Sequence, residues 1–229
     1  MRRTLAALTA LLAAIAVLLQ APAAQAHPRN DRRDPVVLVH GYGGSATNFA
    51  AVSASLIADG YAPEDIHAFT YDTNQTLRTS AAELNAFVDG VRAGSHSRTV
   101  SIVNHSLGGL VTRWYVQKLG GAREVSHVAS LAGANHGTEL ANPCTSSPPF
   151  PAACVDMRPG SDLLTALRGN ETPGRTRFAT WSSPCDAAIV PYTSTHLRGA
   201  RNHYEPCLTH GQFLTDPEIL GEIGAFLAR

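Results

Sequence analysis

The stretch Ile102-Val103-Asn104-His105-Ser106-Leu107-Gly108-Gly109 decides how this chain is read. A short apolar run suited to a buried strand ends in a serine between turn-forming and small residues, and a helical pattern starts at once. A serine hydroxyl becomes a usable nucleophile when it protrudes from a strained strand-to-helix turn. A base can then approach from one side, and backbone N–H groups can meet the developing negative charge. Ser106 is the candidate nucleophile. A serine beside glycines is by itself equally readable as a tight turn, so the reading depends on the surrounding chain.

Outward from this octet, short apolar runs alternate with helical patterns. Strands are expected at Val36 to Val39, Ile66 to Tyr71, Thr99 to Val103, Val125 to Leu131 and Arg177 to Trp181. Helices are expected at Asn48 to Ala58, Ala81 to Val91, Leu107 to Leu119, Asp162 to Leu167 and Pro217 to Leu227. Such alternation predicts an α/β fold with a mostly parallel sheet covered on both faces. Ligands then bind at the carboxyl ends of the strands.

Two further segments fall at such ends. His40-Gly41-Tyr42-Gly43-Gly44 follows the first strand. Alone it is a glycine turn. Beside the elbow it reads as an oxyanion loop, with the backbone N–H of Tyr42 and that of Leu107 as donors. Between Ser183 and Gly211, Asp186 sits in a turn after a strand and His210 in a turn before the last helix. This gives the chain order serine, acid, histidine. His210 would carry the serine proton, and Asp186 would fix the imidazole tautomer.

Arg2 and Arg3, the apolar run Leu5 to Leu19 and the small-x-small triplet Ala24-Gln25-Ala26 read as a signal peptide over residues 1–26, with the mature chain starting at His27. The apolar run is too short to span a bilayer, which takes ~20 residues. Residues 27–229 are then one catalytic domain, with 16 basic against 18 acidic side chains once Arg2 and Arg3 are removed. No basic stripe points to nucleic acid, and no second apolar span points to a membrane anchor. In an exported chain the four cysteines imply disulfides. Sequential pairing, Cys144 with Cys154 and Cys185 with Cys207, is the simplest of three connectivities. A zinc site is the rival reading, but the spacing lacks close CxxC pairs. No metal or cofactor is expected. Asn142 to Pro159 is rich in proline and small residues and reads as a surface excursion.

The chain resembles the small secreted bacterial triacylglycerol lipases, minimal and essentially lidless members of the α/β-hydrolase superfamily. The resemblance rests on Asp34-Pro35-Val36-Val37-Leu38-Val39-His40-Gly41 with Gly43-Gly44, on His105-Ser106-Leu107-Gly108-Gly109, and on Gly199-Ala200-Arg201-Asn202 with His210 eight residues later. It implies that Ser106, Asp186 and His210 form the triad and that Tyr42 and Leu107 are the oxyanion donors. The departure is Asn104, where the family's elbow has glycine or alanine, and this larger side chain is expected to crowd the following helix.

The expected activity is hydrolysis of carboxylic esters through an acyl-enzyme, on ester or lipid substrates and at an oil–water interface, by a secreted monomer. Alternatives are a cutinase-like polyester hydrolase, an extracellular acyltransferase and a hydrolase-fold binding protein without catalysis. His196 and His203 are rival bases, Asp156 and Asp162 rival acids, and His40 and His105 are expected to orient loops. Asn74-Gln75-Thr76 and Asn170-Glu171-Thr172 match glycosylation sequons.

Overall fold

The computed structural model describes residues 33–145 and 150–229. The expected signal peptide and the cleavage point before His27 lie outside the described residues. Six strands, β1 (Val36–Val39), β2 (Ile66–Phe69), β3 (Val100–His105), β4 (Val125–Leu131), β5 (Arg177–Ser182) and β6 (Arg201–Tyr204), form one sheet in the order β2-β1-β3-β4-β5-β6. All five pairings are parallel. The helices are α1 (Ala50–Ala58), α2 (Leu77–Ser95), α3 (Gly108–Lys118), α4 (Ala152–Asp156), α5 (Asp162–Ala166) and α6 (Pro217–Leu227).

The strand order fixes where the helices lie. From β1 the chain steps outward to β2, then returns past β1 to β3 and continues through β4. Right-handed crossovers in opposite directions place α1 on one face and α2 with α3 on the other. In keeping with this, α1 packs against α6, and α2 against α3. The order reverses between β1 and β3, so the crevice at the switch point opens between the residues following β1 and those following β3. These are His40 to Gly44 and Ser106 to Gly109.

β1 is Val-Val-Leu-Val, buried along its whole length as a strand covered on both faces must be. α2 buries Leu77, Ala81, Leu84, Val88 and Val91, one stripe of helical period. It runs beyond the expected Ala81 to Val91 because Thr76 caps its first turn, accepting from the Thr79 N–H, and His96 closes it at φ 53°. α6 starts on an Asp216 cap with Pro217 in its first turn. Two elements depart from expectation. β6 is an added edge strand, mostly exposed, whose Arg-Asn-His-Tyr sequence has no apolar alternation. α4 is a single turn inside the proline-rich excursion.

Candidate active site

Ser106 has φ 55°, a left-handed conformation rare outside glycine. Its surroundings hold it there. Its N–H donates to the Leu131 carbonyl (3.1 Å), and its own carbonyl accepts from Gly109 (2.9 Å) and Ala134 (2.9 Å). The turn is possible only because its neighbours lack side chains. A Cβ on Gly108 would lie 2.4 Å from the Val39 carbonyl oxygen, and one on Gly41 would lie 2.8 Å from Ser106 Cβ. The Asn104 side chain is buried, and its Oδ1 accepts from Ser130 Oγ at 2.8 Å.

The loop after β1 is braced from the segment after β2. The Tyr71 hydroxyl donates to the His40 carbonyl (2.7 Å), the Tyr71 N–H donates to His40 Nε2 (3.4 Å), and the two rings stack at 4.4 Å. His40 Nδ1 therefore carries the proton and donates to the Gly41 carbonyl (2.9 Å). Burial lowers the His40 pKa below the ordinary histidine value, against a smaller opposing effect of that bond. The Gly43 N–H reaches Thr73 Oγ1 (3.1 Å). Among the described residues the N–H groups of Tyr42 and Leu107 have no hydrogen-bond partner. Two unspent donors therefore flank the serine turn, while the Tyr42 side chain points outward, 48% exposed.

Asp186 and His210 meet in the structure. His210 Nδ1 lies 2.9 Å from Asp186 Oδ2. Asp186 Oδ1 accepts from the Ala188 (2.8 Å) and Ile189 (3.1 Å) N–H groups. Burial pushes the Asp186 carboxyl upward, but the His210 bond and charge with the two backbone donors outweigh it and hold the group below its ordinary value. The acid is thus kept ionised, and Nδ1 of His210 carries its proton. Nε2 remains as the basic atom.

One hydrogen bond attaches this pair to the strand that carries the serine. His105 Nε2 donates to the His210 carbonyl (2.9 Å), and the two rings lie 4.5 Å apart. Burial, helped by the His210 charge, lowers the His105 pKa to about 4, so this ring stays neutral beside His210 at ordinary pH. Ser106 Oγ and His210 Nε2 are not hydrogen bonded to each other; in an unliganded site this contact often closes only when substrate binds.

The four cysteines form Cys144–Cys154 and Cys185–Cys207. The second links the residue before Asp186 to a residue three before His210. The buried Ser183 hydroxyl supports the same link, accepting from the N–H of Cys185 (3.2 Å) and of Leu208 (2.8 Å). The rivals are engaged elsewhere. His196 bonds Ser182 Oγ (2.9 Å), His203 stacks on Trp181 (4.8 Å), and Asp156 accepts from the Leu77 N–H at the start of α2 (2.8 Å). Asp162 opens α5.

Sequence reasoning did not find two supports. Arg113, buried on α3, donates to the carbonyls of Asn135 and Leu167 and so ties down the loop after β4. His136 in that loop bonds Glu171 Oε1 (3.0 Å) and the Ser194 carbonyl (3.0 Å). Among the described residues no cluster of three or more His, Cys, Asp or Glu side chains is placed to hold a metal ion.

The family model for lipase (class 2) matches residues 33–204. Among solved structures, the mature form of Bacillus licheniformis lipase BlEst2 superposes with a TM-score of 0.74 at 16% identity, covering 88% of this chain and 94% of that one. Its propeptide form gives 0.75 at 17% identity, over 89% of this chain and 52% of the other. Aspergillus fumigatus lipase B gives 0.70 at 18% identity, over 86% and 53%. The chain thus spans about half the length of the fungal lipase.

Proposed function

The chain belongs to the class 2 lipase family, a lineage of serine ester hydrolases on the α/β-hydrolase fold, and on that premise we propose that it hydrolyses carboxylic esters of lipids through an acyl-enzyme on Ser106. Ser106 Oγ attacks the ester carbonyl carbon as His210 Nε2 removes its proton. Asp186, held ionised, stabilises the imidazolium. The carbonyl oxygen becomes an oxyanion held by the N–H groups of Tyr42 and Leu107, and each such donor is worth about 3 to 4 kcal/mol in the transition state. Collapse expels the alcohol, which takes the proton from His210. Water then attacks the acyl-enzyme with His210 again as base, which releases the acid and restores the serine.

The observation that carries this reading is the His105 hydrogen bond to the His210 carbonyl. It fastens the Asp186–His210 pair to the residue next to a serine already in the strained conformation an elbow needs. Export of the chain, with residues 1–26 removed, belongs to the same proposal and is supported by two disulfides, Cys144–Cys154 and Cys185–Cys207. In the described part of the excursion after β4 the helices are five residues each, which favours an open cleft that takes bulky acyl groups.

Initial rates across esters of increasing acyl length, below and above their solubility limits, test the substrate class. The proposal expects turnover of long-chain esters that rises once they form a separate phase. Activity confined to short, dissolved esters would replace lipid esters with small ones.

A further inference from the structure

At the end of the sheet opposite Ser106, a cavity of about 520 Å³ is lined by Arg177, Arg201, Arg229, Phe178, Phe226 and Thr176, among others. Arg177 is the first residue of β5 and Arg201 the first of β6, so both sit at the amino ends of parallel strands. The register pairs Ala179 with Arg201. Arg177 lies two residues before Ala179, so both arginines belong to the same sheet face. α6 closes that face, supplying Phe226 and leading to Arg229.

Three arginines line one cavity, and like charges placed together in this way would ordinarily be compensated by carboxylates. Among the described residues no Asp or Glu side chain lines this cavity. None of the three has an ion-pair or hydrogen-bond partner among the described residues, although Arg92 and Arg198 do. The neighbouring interior registers the charge too: burial first, and then the charge of Arg177, lowers the His127 pKa below the ordinary histidine value.

The geometry points to a binding site for a phosphate group attached to an apolar moiety, separate from the ester-hydrolysing centre. A guanidinium offers paired donors in a rigid plane. Three arginines lining one cavity match the several oxygens of a phosphate better than the two of a carboxylate. Phe226, on the same face, supplies an apolar wall for what the phosphate carries. The volume lies in the range of small-molecule sites, about 300–1,000 Å³. Phosphate of this kind could come from a free phosphate ester or from a phospholipid headgroup.

Titration calorimetry of the whole protein with phenyl phosphate, inorganic phosphate and benzoate at matched ionic strength tests the site, and vesicle sedimentation identifies the source. We expect saturable binding of phenyl phosphate, with inorganic phosphate and benzoate each about tenfold weaker or more. Each guanidinium removed should weaken binding by about tenfold, so Arg177→Gln with Arg201→Gln should lose it about hundredfold. Hydrolysis of a dissolved ester should be unchanged, since neither residue is near Ser106. Arg177→Lys with Arg201→Lys, which keeps charge and loses the fork, should fall between. Preferential sedimentation with phosphatidylglycerol over phosphatidylcholine vesicles, lost in the Gln variant, assigns the headgroup as source; binding of phenyl phosphate without it assigns a free ester. No saturable binding by the wild type, equal affinity for benzoate, or an unchanged constant in the Gln variant would overturn the assignment.

Discussion

Acidification should unfasten His105, and the cost can be worked out. In the unfolded chain this imidazole takes a proton near pH 6.5; in the folded chain it does so only at about 4. Between those values the unfolded state binds the extra proton, so stability falls as the pH falls through the window. The gap amounts to about 3 kcal/mol, at 1.36 kcal/mol for each pH unit, a sizeable share of a typical 5–15 kcal/mol. The physical cause is the burial of the ring against His210, whose carbonyl it must donate to while the base beside it gains a proton in catalysis. His105→Gln keeps an N–H donor and removes the titration. Urea unfolding of both proteins at pH 7, 5.5 and 4 isolates the effect, because His40, His67, His127 and His196, also held low first by burial, contribute equally to each. The variant should lose about 3 kcal/mol less than the wild type between pH 7 and pH 4. Parallel losses would refute the burial of a neutral His105 on the base loop.

Gly108→Ala forces a methyl group against the Val39 carbonyl oxygen; it should cost at least about 1 to 3 kcal/mol in urea unfolding and most of the ester turnover, and full retention of both would show that the elbow tolerates side chains. Asp186→Asn should leave circular dichroism unchanged while kcat falls on the order of 10³ to 10⁴-fold; a drop below tenfold would remove Asp186 from its role. Replacing Cys185 and Cys207 with Ala should lower kcat on a small ester at temperatures where the protein is still folded, because that bond joins the acid loop to the base loop. The Cys144 and Cys154 pair should lower stability by about 3 kcal/mol or less and leave that kcat unchanged.

The parts of this molecule that were legible in its sequence are those where local chemistry and tertiary role coincide. Val36 to Val39 must be a strand covered on both faces, and Leu84, Val88 and Val91 can share only a helical face. Ser106 between His105 and Leu107-Gly108-Gly109 can hardly be anything but a turn before a helix, and the sequential disulfides followed from two short loops. What stayed hidden depends on partners distant in the chain. β6 has no pattern of its own and is a strand because β5 offers it an edge. The bond from His105 to the His210 carbonyl spans 105 residues, and nothing near either residue announces it. The partner of Asn104 was hidden for the same reason: Ser130, which bonds its Oδ1, lies on the neighbouring strand β4.

The proposed chemistry requires that Ser106, activated by His210, form the acyl-enzyme. Labelling with a fluorophosphonate, followed by peptide mass mapping, tests it most directly, because the reagent reacts with an activated serine and leaves its mass on that residue. One adduct per chain is expected, on Ser106, absent from folded Ser106→Ala and strongly slowed in His210→Ala. An adduct on another serine, or unchanged labelling of Ser106 without His210, would contradict it.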